Sequence, residues 1–124
     1  MCTHVTVVKS AGFCFGVQKA VAGVYDLIEQ GKSLAILGEL IHNPTVNADL
    51  KRRDVLTVDS PSECPLDTAL VIRTHGVPSA VEEEAQRLGL KIYDFTCPFV
   101  KKIHEIVRAE SEKGRNVCIL RYVV

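Results

Sequence analysis

The sequence has no apolar run long enough to cross a membrane. Its uninterrupted apolar stretches are only a few residues long, whereas a membrane-spanning helix needs about 20. The first residues show no charged leader followed by an apolar block, and too few basic residues for a transit peptide. These absences predict a soluble protein without a targeting segment, located in the cytoplasm.

The charges show no excess of either sign. The 15 Lys and Arg residues balance the 15 Asp and Glu residues, for a formal net charge of zero. Proteins that bind nucleic acid need a basic surface to hold the phosphates, so nucleic acid is not predicted as a partner. The short charged runs 51–53 and 82–84 are interpreted as solvent-facing helix surfaces.

The chain also lacks the spacings typical of disulfide frameworks, zinc fingers and nucleotide-binding loops. Its five cysteines are an odd number at irregular spacing, which indicates reduced thiols rather than a secreted disulfide scaffold. No Cys-x-x-Cys pair occurs, so any shared metal site must be assembled by the fold. The glycines form neither a dinucleotide fingerprint nor a P-loop, and no nucleotide is predicted to bind.

At 124 residues, with 47% hydrophobic and 24% charged residues, the chain has the size and composition of one globular domain. Apolar runs typical of strands alternate along it with segments of helical periodicity. The predicted strands are 4–9, 34–37, 55–58, 69–73, 91–94 and 117–120, and the predicted helices are 17–30, 44–52, 79–88 and 98–113. This alternation predicts a single α/β domain over 1–124, with a mostly parallel sheet and helices on both faces.

The last predicted helix and the last predicted strand are both expected to contribute to the core. The apolar residues that we expect the helix to turn inward are Phe99, Val100, Ile103, Ile106 and Val107. The strand is expected to hold Cys118 in the core, which gives this cysteine a structural role.

Four residues that can bind metal or phosphate occupy equivalent positions in the predicted fold. Cys14, His42, His75 and Cys97 each follow a predicted strand and precede a predicted helix. Because the carboxyl ends of parallel strands meet at one edge of a sheet, we expect the four side chains to gather there. Several helix N-termini, whose N–H groups attract anions, would lie at the same edge. The arrangement predicts a site for a metal and a phosphate group.

Each of these residues also has a plain structural interpretation, since an isolated cysteine is most often buried and an isolated histidine most often hydrogen-bonded. The repeated placement of Cys14 and Cys97 before a helix, where the thiolate form is favoured, supports a metal-binding role for both. Gly12 and Gly16 are expected to let the backbone turn tightly around Cys14. A histidine beside a helix N-terminus can hold phosphate, or a metal when it is neutral. The remaining residues of these types are interpreted as structural or solvent-facing: Cys2, Cys64, Cys118, His4 and His104.

Four short motifs occur in a fixed order across most of the chain. They are Gly12-Phe13-Cys14-x-Gly16-Val17, Ile41-His42-Asn43, Thr74-His75-Gly76-Val77 and Asp94-x-Thr96-Cys97-Pro98-x-Val100-x-Lys102-x-His104. In this order and spacing they resemble the 4-hydroxy-3-methylbut-2-enyl diphosphate reductase family, which catalyses the last step of the methylerythritol phosphate route to isoprenoids. The four matches together are far more specific than any one of them alone.

The resemblance implies an oxidoreductase built from three similar α/β domains around a central cavity, with a 4Fe–4S cluster held by three cysteines. It implies that Cys14 and Cys97 are two of these metal ligands, and that His42 and His75 bind the diphosphate of an allylic substrate. The implied reaction is the reductive dehydroxylation of 4-hydroxy-3-methylbut-2-enyl diphosphate to isopentenyl and dimethylallyl diphosphate. A ferredoxin or flavodoxin-type partner would supply the electrons.

Several residues that this family uses come later than residue 124: the third cysteine, a third histidine and the glutamate that donates a proton. Where the family continues into the turn with that glutamate, this chain reads Arg121-Tyr122-Val123-Val124. We therefore expect the amino-terminal part of a larger three-domain reductase, incomplete and inactive by itself. The alternatives are a non-catalytic module that binds metal through its cysteines or serves interaction, and a purely structural α/β domain.

Overall fold

The computed structural model describes residues 4–120. Within them the chain forms α-helices, parallel β-strands and one short 3-10 helix. The helices are α1 (Phe15–Glu29), α2 (Pro44–Arg52), α3 (Ser79–Arg87) and α4 (Pro98–Glu112). The strands are β1 (Leu34–Leu37), β2 (Leu56–Val58), β3 (Ala69–Ile72) and β4 (Ile92–Asp94), with the 3-10 helix at Pro61–Glu63. No helix in this part of the chain has the length and apolar character that crossing a bilayer requires.

The four strands form one parallel sheet in the order β2–β1–β3–β4. Leu34 of β1 lies opposite Ala69 of β3, and Leu70 of β3 lies opposite Ile92 of β4. The chain passes outward from β1 to β2 and then returns to β3 on the other side of β1. The strand order therefore reverses between β1 and β3, and open parallel sheets bind ligands at the carboxyl ends of the strands at such a point.

Helices cover both faces of the sheet. On one face, α1 and α2 pack against alternate residues of β1 and β3, in a cluster that includes Ala20, Val24, Leu27, Leu34, Ile36, Leu50 and Val71. On the other face, α3 packs against the intervening residues, in a cluster that includes Ala35, Leu37, Leu70 and Ala85. Successive side chains of a strand point to opposite faces, so the buried strands β1 and β3 are apolar throughout. The predicted α/β fold with helices on both faces is confirmed.

Capping residues place the helix starts directly after the candidate site residues. The side chain of Asn43 accepts a hydrogen bond from the Val46 N–H at 3.1 Å, and Pro44 occupies the first turn of α2. Pro98 likewise occupies the first turn of α4. As a result, His42 immediately precedes the cap of α2, and Cys97 is itself the N-cap residue of α4.

The strands predicted at 4–9 and 117–120 are wrong where the structure describes them. Residues 4–8 and 115–120 have no regular secondary structure, and Val5 and Ile119 are 81% and 63% exposed. An apolar segment forms a strand only where a neighbouring strand pairs with its backbone, and the four-stranded sheet contains neither segment. Cys118, expected in a core strand, is exposed instead.

The apolar face of α4 is not buried as predicted. Phe99 is 70% exposed, Ile103 and Ile106 are about half exposed, and Val100 and Val107 are half-buried. The helical spacing of these residues makes α4 amphipathic, as the sequence indicates. The helix follows β4, however, which is an edge strand of the sheet. No further strand within residues 4–120 carries the chain back over α4, so its apolar face stays uncovered there.

Candidate functional site

The loops that follow β1, β3 and β4 meet at the carboxyl edge of the sheet. They carry His42, His75 and Cys97 respectively, and each leads into a helix. The amino end of α1 joins them, since Phe13 and Val17 line the same cleft as the two histidines. All four sequence-predicted site residues therefore belong to loops or helix ends at this edge. Cys14 reaches it without the preceding strand that the sequence analysis predicted.

The two candidate phosphate ligands are neighbours. The ring centroids of His42 and His75 lie 4.9 Å apart, and the ring planes are inclined at 38°. They line a cleft of about 220 Å³ together with Phe13, Val17, Ile41, Asn43 and Thr74. The structure thus brings these histidines together at the point where the strand order reverses, from loops far apart in the sequence.

The His42 side chain is exposed to solvent, whereas the backbone next to it is held by a hydrogen bond. Its side chain is 80% exposed, and Nδ1 lies 3.7 Å from a carboxylate oxygen of Glu39. The backbone beneath it is held because Asn47 donates a hydrogen bond to the Ile41 carbonyl at 2.9 Å. When the imidazole is protonated, it can pair with Glu39 or with an anionic ligand in the cleft.

Both candidate thiol ligands lie at the amino ends of 15-residue helices. Cys14 is the N-cap residue of α1 and Cys97 that of α4, and neither side chain makes a capping hydrogen bond. Cys14 is exposed and Cys97 is half-buried. Because the sulfur atoms are not used to cap the helices, both remain suitable as metal ligands.

Glycines in α1 bring the two cysteine-bearing helix ends together. A Cβ atom at Gly16, two residues after Cys14, would lie 2.9 Å from the Cβ of Cys97. Further along α1, a Cβ atom at Gly23 would lie 2.6 Å from Cζ of the Phe95 ring. The close approach of α1 to the loop before α4 therefore depends on both glycines. Gly16 serves this packing rather than the tight turn predicted for it, and it lies inside the helix.

The loop that carries Cys97 is anchored by Asp94. The Asp94 carboxylate accepts hydrogen bonds from the N–H and the hydroxyl of Thr96, and from Lys101 Nζ at 3.0 Å. Burial opposes the ionisation of Asp94, but the Thr96 and Lys101 hydrogen bonds outweigh it and lower the pKa of this carboxyl group. Hydrogen bonding to Asp94 raises the pKa of Lys101. Sequence reasoning assigned Asp94 no role, although an Asp two residues before a backbone N–H donor is a known turn signal.

Two other side chains at this edge were not predicted to belong to the site. His104 of α4, interpreted as structural or solvent-facing, is exposed, and its ring lies against the His75 loop. A Cβ atom at Gly76 would lie 3.0 Å from its Cε1. Arg73 directly follows β3, with its guanidinium over Gly38, and its Nε is buried without a hydrogen-bond partner among residues 4–120. Arg73 adds a positive charge directly before the Thr74-His75 pair.

Cys64 is bonded to a different loop. The Cys64 thiol donates a weak hydrogen bond to the Thr68 carbonyl at 3.5 Å, and burial raises its pKa. Its environment agrees with the structural interpretation. Cys2 lies outside the described residues.

Within residues 4–120, no three His, Cys, Asp or Glu side chains are arranged to hold a metal ion. Iron–sulfur clusters are bound by thiolates, and Cys14 and Cys97 are donors of this type. The packing of Gly16 against Cys97 brings the two helix ends that carry them together. The two cysteines fit such a cluster as part of its ligand set, which would need at least one further ligand.

Comparisons with known proteins identify similar sequences. The family model described as LytB protein matches residues 5–121. A curated 4-hydroxy-3-methylbut-2-enyl diphosphate reductase from Clostridioides difficile (strain 630) is 39% identical over 118 residues, which cover 94% of this chain and 42% of that protein. The protein of the same name from Xanthomonas oryzae pv. oryzae (strain PXO99A) is also 39% identical, with 94% and 37% covered. The chain spans about two fifths of the length of these relatives.

Solved structures share the fold. The E-1-hydroxy-2-methyl-but-2-enyl-4-diphosphate reductase from Plasmodium falciparum superposes with a TM-score of 0.78 over 85% of this chain and 33% of that chain. At 24% identity this likeness shows the fold alone. A second structure, described as (E)-4-hydroxy-3-methyl-but-2-enyl diphosphate reductase, the terminal enzyme of the non-mevalonate pathway, is 35% identical with a TM-score of 0.72. It covers 89% of this chain and 39% of that chain.

Proposed function

This chain belongs to the LytB protein family, and from that membership we propose that it is the amino-terminal part of a larger, three-domain reductase. The proposed reaction converts 4-hydroxy-3-methylbut-2-enyl diphosphate to isopentenyl and dimethylallyl diphosphate. The hydroxyl group leaves as water while two electrons and two protons enter. The names of the curated relatives support this assignment, as does the chain's coverage of 37 to 42% of their length.

The uncovered face of α4 supports a larger protein. Phe99, Ile103 and Ile106 recur at helical spacing and are about half or more exposed. A contiguous exposed apolar face of this kind is typical of an interface. We propose that the remaining domains of the reductase cover this face, as they would in a domain arrangement around a central cavity.

The His42–His75 pair is the observation that carries the proposal. The two imidazole rings lie 4.9 Å apart at the carboxyl edge, where the strand order reverses, and both line the same cleft. The loops that carry them lead into the amino ends of α2 and α3. Imidazole N–H groups and helix N-termini are suitable donors for a diphosphate. We propose that His42 and His75 bind the diphosphate of the allylic substrate and so orient its hydroxyl-bearing end towards the cysteines.

Cys14 and Cys97 are the proposed ligands of a 4Fe–4S cluster, and a third cysteine would come from outside this chain. When bound, such a cluster would supply single electrons and Lewis acidity towards the substrate hydroxyl. The two helix ends hold the thiolates of Cys14 and Cys97 in fixed positions relative to each other, and the packing of Gly16 against Cys97 maintains these positions. The proposed electron donor is a ferredoxin or flavodoxin-type protein, and the proposed location is the cytoplasm.

Anaerobic reconstitution with iron and sulfide tests the ligand assignment. A small thiol such as dithiothreitol in the buffer can replace the ligand that this chain does not supply. We expect visible charge-transfer absorption and an electron paramagnetic resonance signal after reduction for the parent chain and for the matched control Cys118→Ser. Both signals should be lost in Cys14→Ser and in Cys97→Ser. Equal signals in all four proteins would overturn the ligand assignment, whereas uptake of zinc in place of iron and sulfide would favour a non-catalytic metal-binding module.

A further inference from the structure

Thr74 is the polar side chain that the fold buries most completely. Among residues 4–120, it is the one polar or charged residue in the buried class, with 4% of its surface exposed. A hydroxyl group buried in this way costs free energy unless it is hydrogen-bonded. Its position between β3 and His75 makes its bonding partners relevant to the site.

The hydrogen bonds of Thr74 connect three loops. Its hydroxyl donates to the Leu40 carbonyl at 3.3 Å, and its own N–H points to the same carbonyl at 3.5 Å. Its carbonyl accepts a hydrogen bond from the Cys97 N–H at 2.9 Å. Leu40 lies two residues before His42, and Thr74 itself directly precedes His75. One residue thus connects the His42 loop, the His75 loop and the N-cap residue of α4.

We propose that Thr74 is a positioning residue that holds the two histidines and Cys97 in one fixed arrangement. This inference rests on the proposed function, because it assigns Thr74 to the geometry of the diphosphate and cluster sites. Thr74 borders the cleft of the two histidines, but its hydroxyl is directed at the Leu40 carbonyl and its own carbonyl is bonded to the Cys97 N–H. It acts by fixing the separation of the three loops, through its hydroxyl on one side and its carbonyl on the other.

The hydroxyl is the part of this connection that a substitution can remove. Thr74→Val keeps the shape of the side chain but leaves the buried Leu40 carbonyl with only the long contact from the residue 74 N–H. Thr74→Ser retains the hydroxyl and should rescue the connection. Thr68→Val is the matched control, because Thr68 precedes β3 at the opposite edge of the sheet and is half-buried.

Two measurements test the proposal on the 124-residue chain. The first is hydrogen exchange of the Cys97 amide, referenced to the Ile36 amide in the core of β1. We expect Thr74→Val to speed exchange of the Cys97 amide relative to the Ile36 amide by about tenfold, the scale for one buried hydrogen bond. The second is calorimetric binding of inorganic pyrophosphate, which should weaken by about tenfold. Thr74→Ser should stay within about twofold of the parent in both measurements, and Thr68→Val should match the parent.

A general loss of stability would speed exchange of the Cys97 and Ile36 amides equally, and that result would overturn the proposal. So would unchanged Cys97 exchange in Thr74→Val. The exchange measurement does not require ligand, so it tests Thr74 separately from the proposed function. If the parent chain binds no pyrophosphate, the proposed diphosphate site fails. If it binds pyrophosphate and Thr74→Val binds it equally well, the positioning role of Thr74 fails.

Discussion

Replacing Gly16 by alanine should separate α1 from the loop that carries Cys97. The added methyl group would lie 2.9 Å from the Cβ of Cys97, whereas carbon atoms in contact are about 3.5–4.0 Å apart. The helix and the loop must therefore move apart by about 0.6–1.1 Å. Overpacking of this kind costs about 1–3 kcal/mol, and the higher helix propensity of alanine offsets up to about 1 kcal/mol. We expect a net loss of up to about 3 kcal/mol, together with a displaced Cys97.

Thermal unfolding and thiol alkylation measure the two effects separately. At about 4 °C per kcal/mol for a domain of this size, Gly16→Ala should lower the Tm by several degrees. Alkylation by iodoacetamide, followed by mass spectrometry, should show Cys97 reacting several-fold faster relative to the Cys64 thiol in the same chain. Lys19→Ala, on the exposed side of α1, is the control and should change neither value. An unchanged Tm with an unchanged Cys97 rate in Gly16→Ala would refute the close packing of Gly16 against Cys97.

Two carboxylates, Asp49 and Asp94, should contribute to the stability of the chain. The hydrogen bond from Tyr25, at 2.6 Å, and those from Arg53 and Arg52 hold the pKa of Asp49 far below its usual range. The stability that Asp49 contributes by connecting α1 to α2 is therefore present above the ordinary carboxyl pKa of about 4 and is lost as the pH falls. In urea unfolding, the difference between the parent chain and Asp49→Asn should shrink from pH 7 to pH 3, and a constant difference would contradict this linkage. Asp94→Ala should destabilise the chain by about 1–2 kcal/mol at neutral pH by releasing Thr96, whereas Asp94→Asn, which keeps an acceptor for the Thr96 N–H, should lose less. Equal losses in the two Asp94 variants would show that the Lys101 ion pair, not the turn, is what matters.

The internal part of the fold follows from local sequence signals. β1 and β3 are continuous apolar runs of four residues, and Asn43 and Pro98 mark helix starts by capping chemistry. Since these signals depend only on nearby residues, they predict the elements and the edge at which His42 and His75 meet. The loops that follow parallel strands all lie at the carboxyl edge of the sheet, however far apart they are in the sequence.

The failures of prediction have a different physical origin. Val5 lies in an alternating apolar segment and Ile119 in a continuous one, but strand formation depends on a pairing partner that no local pattern specifies. The same holds for Phe99, whose burial depends on what packs against α4. The roles of Gly16 and Thr74 were missed for a related reason. A close approach and a buried hydrogen bond between distant loops become visible only when the tertiary structure is known.

The binding of inorganic pyrophosphate tests the account most directly, because the proposed function depends on two histidines acting on one anion. Calorimetric titration of the parent chain should show binding that weakens in His42→Ala, weakens in His75→Ala and is lost in the double variant. His4→Ala is the control, since His4 lies in the amino-terminal segment, outside the loops at the carboxyl edge, and it should bind as the parent does. A double variant that binds pyrophosphate as tightly as the parent chain would contradict the proposed diphosphate site.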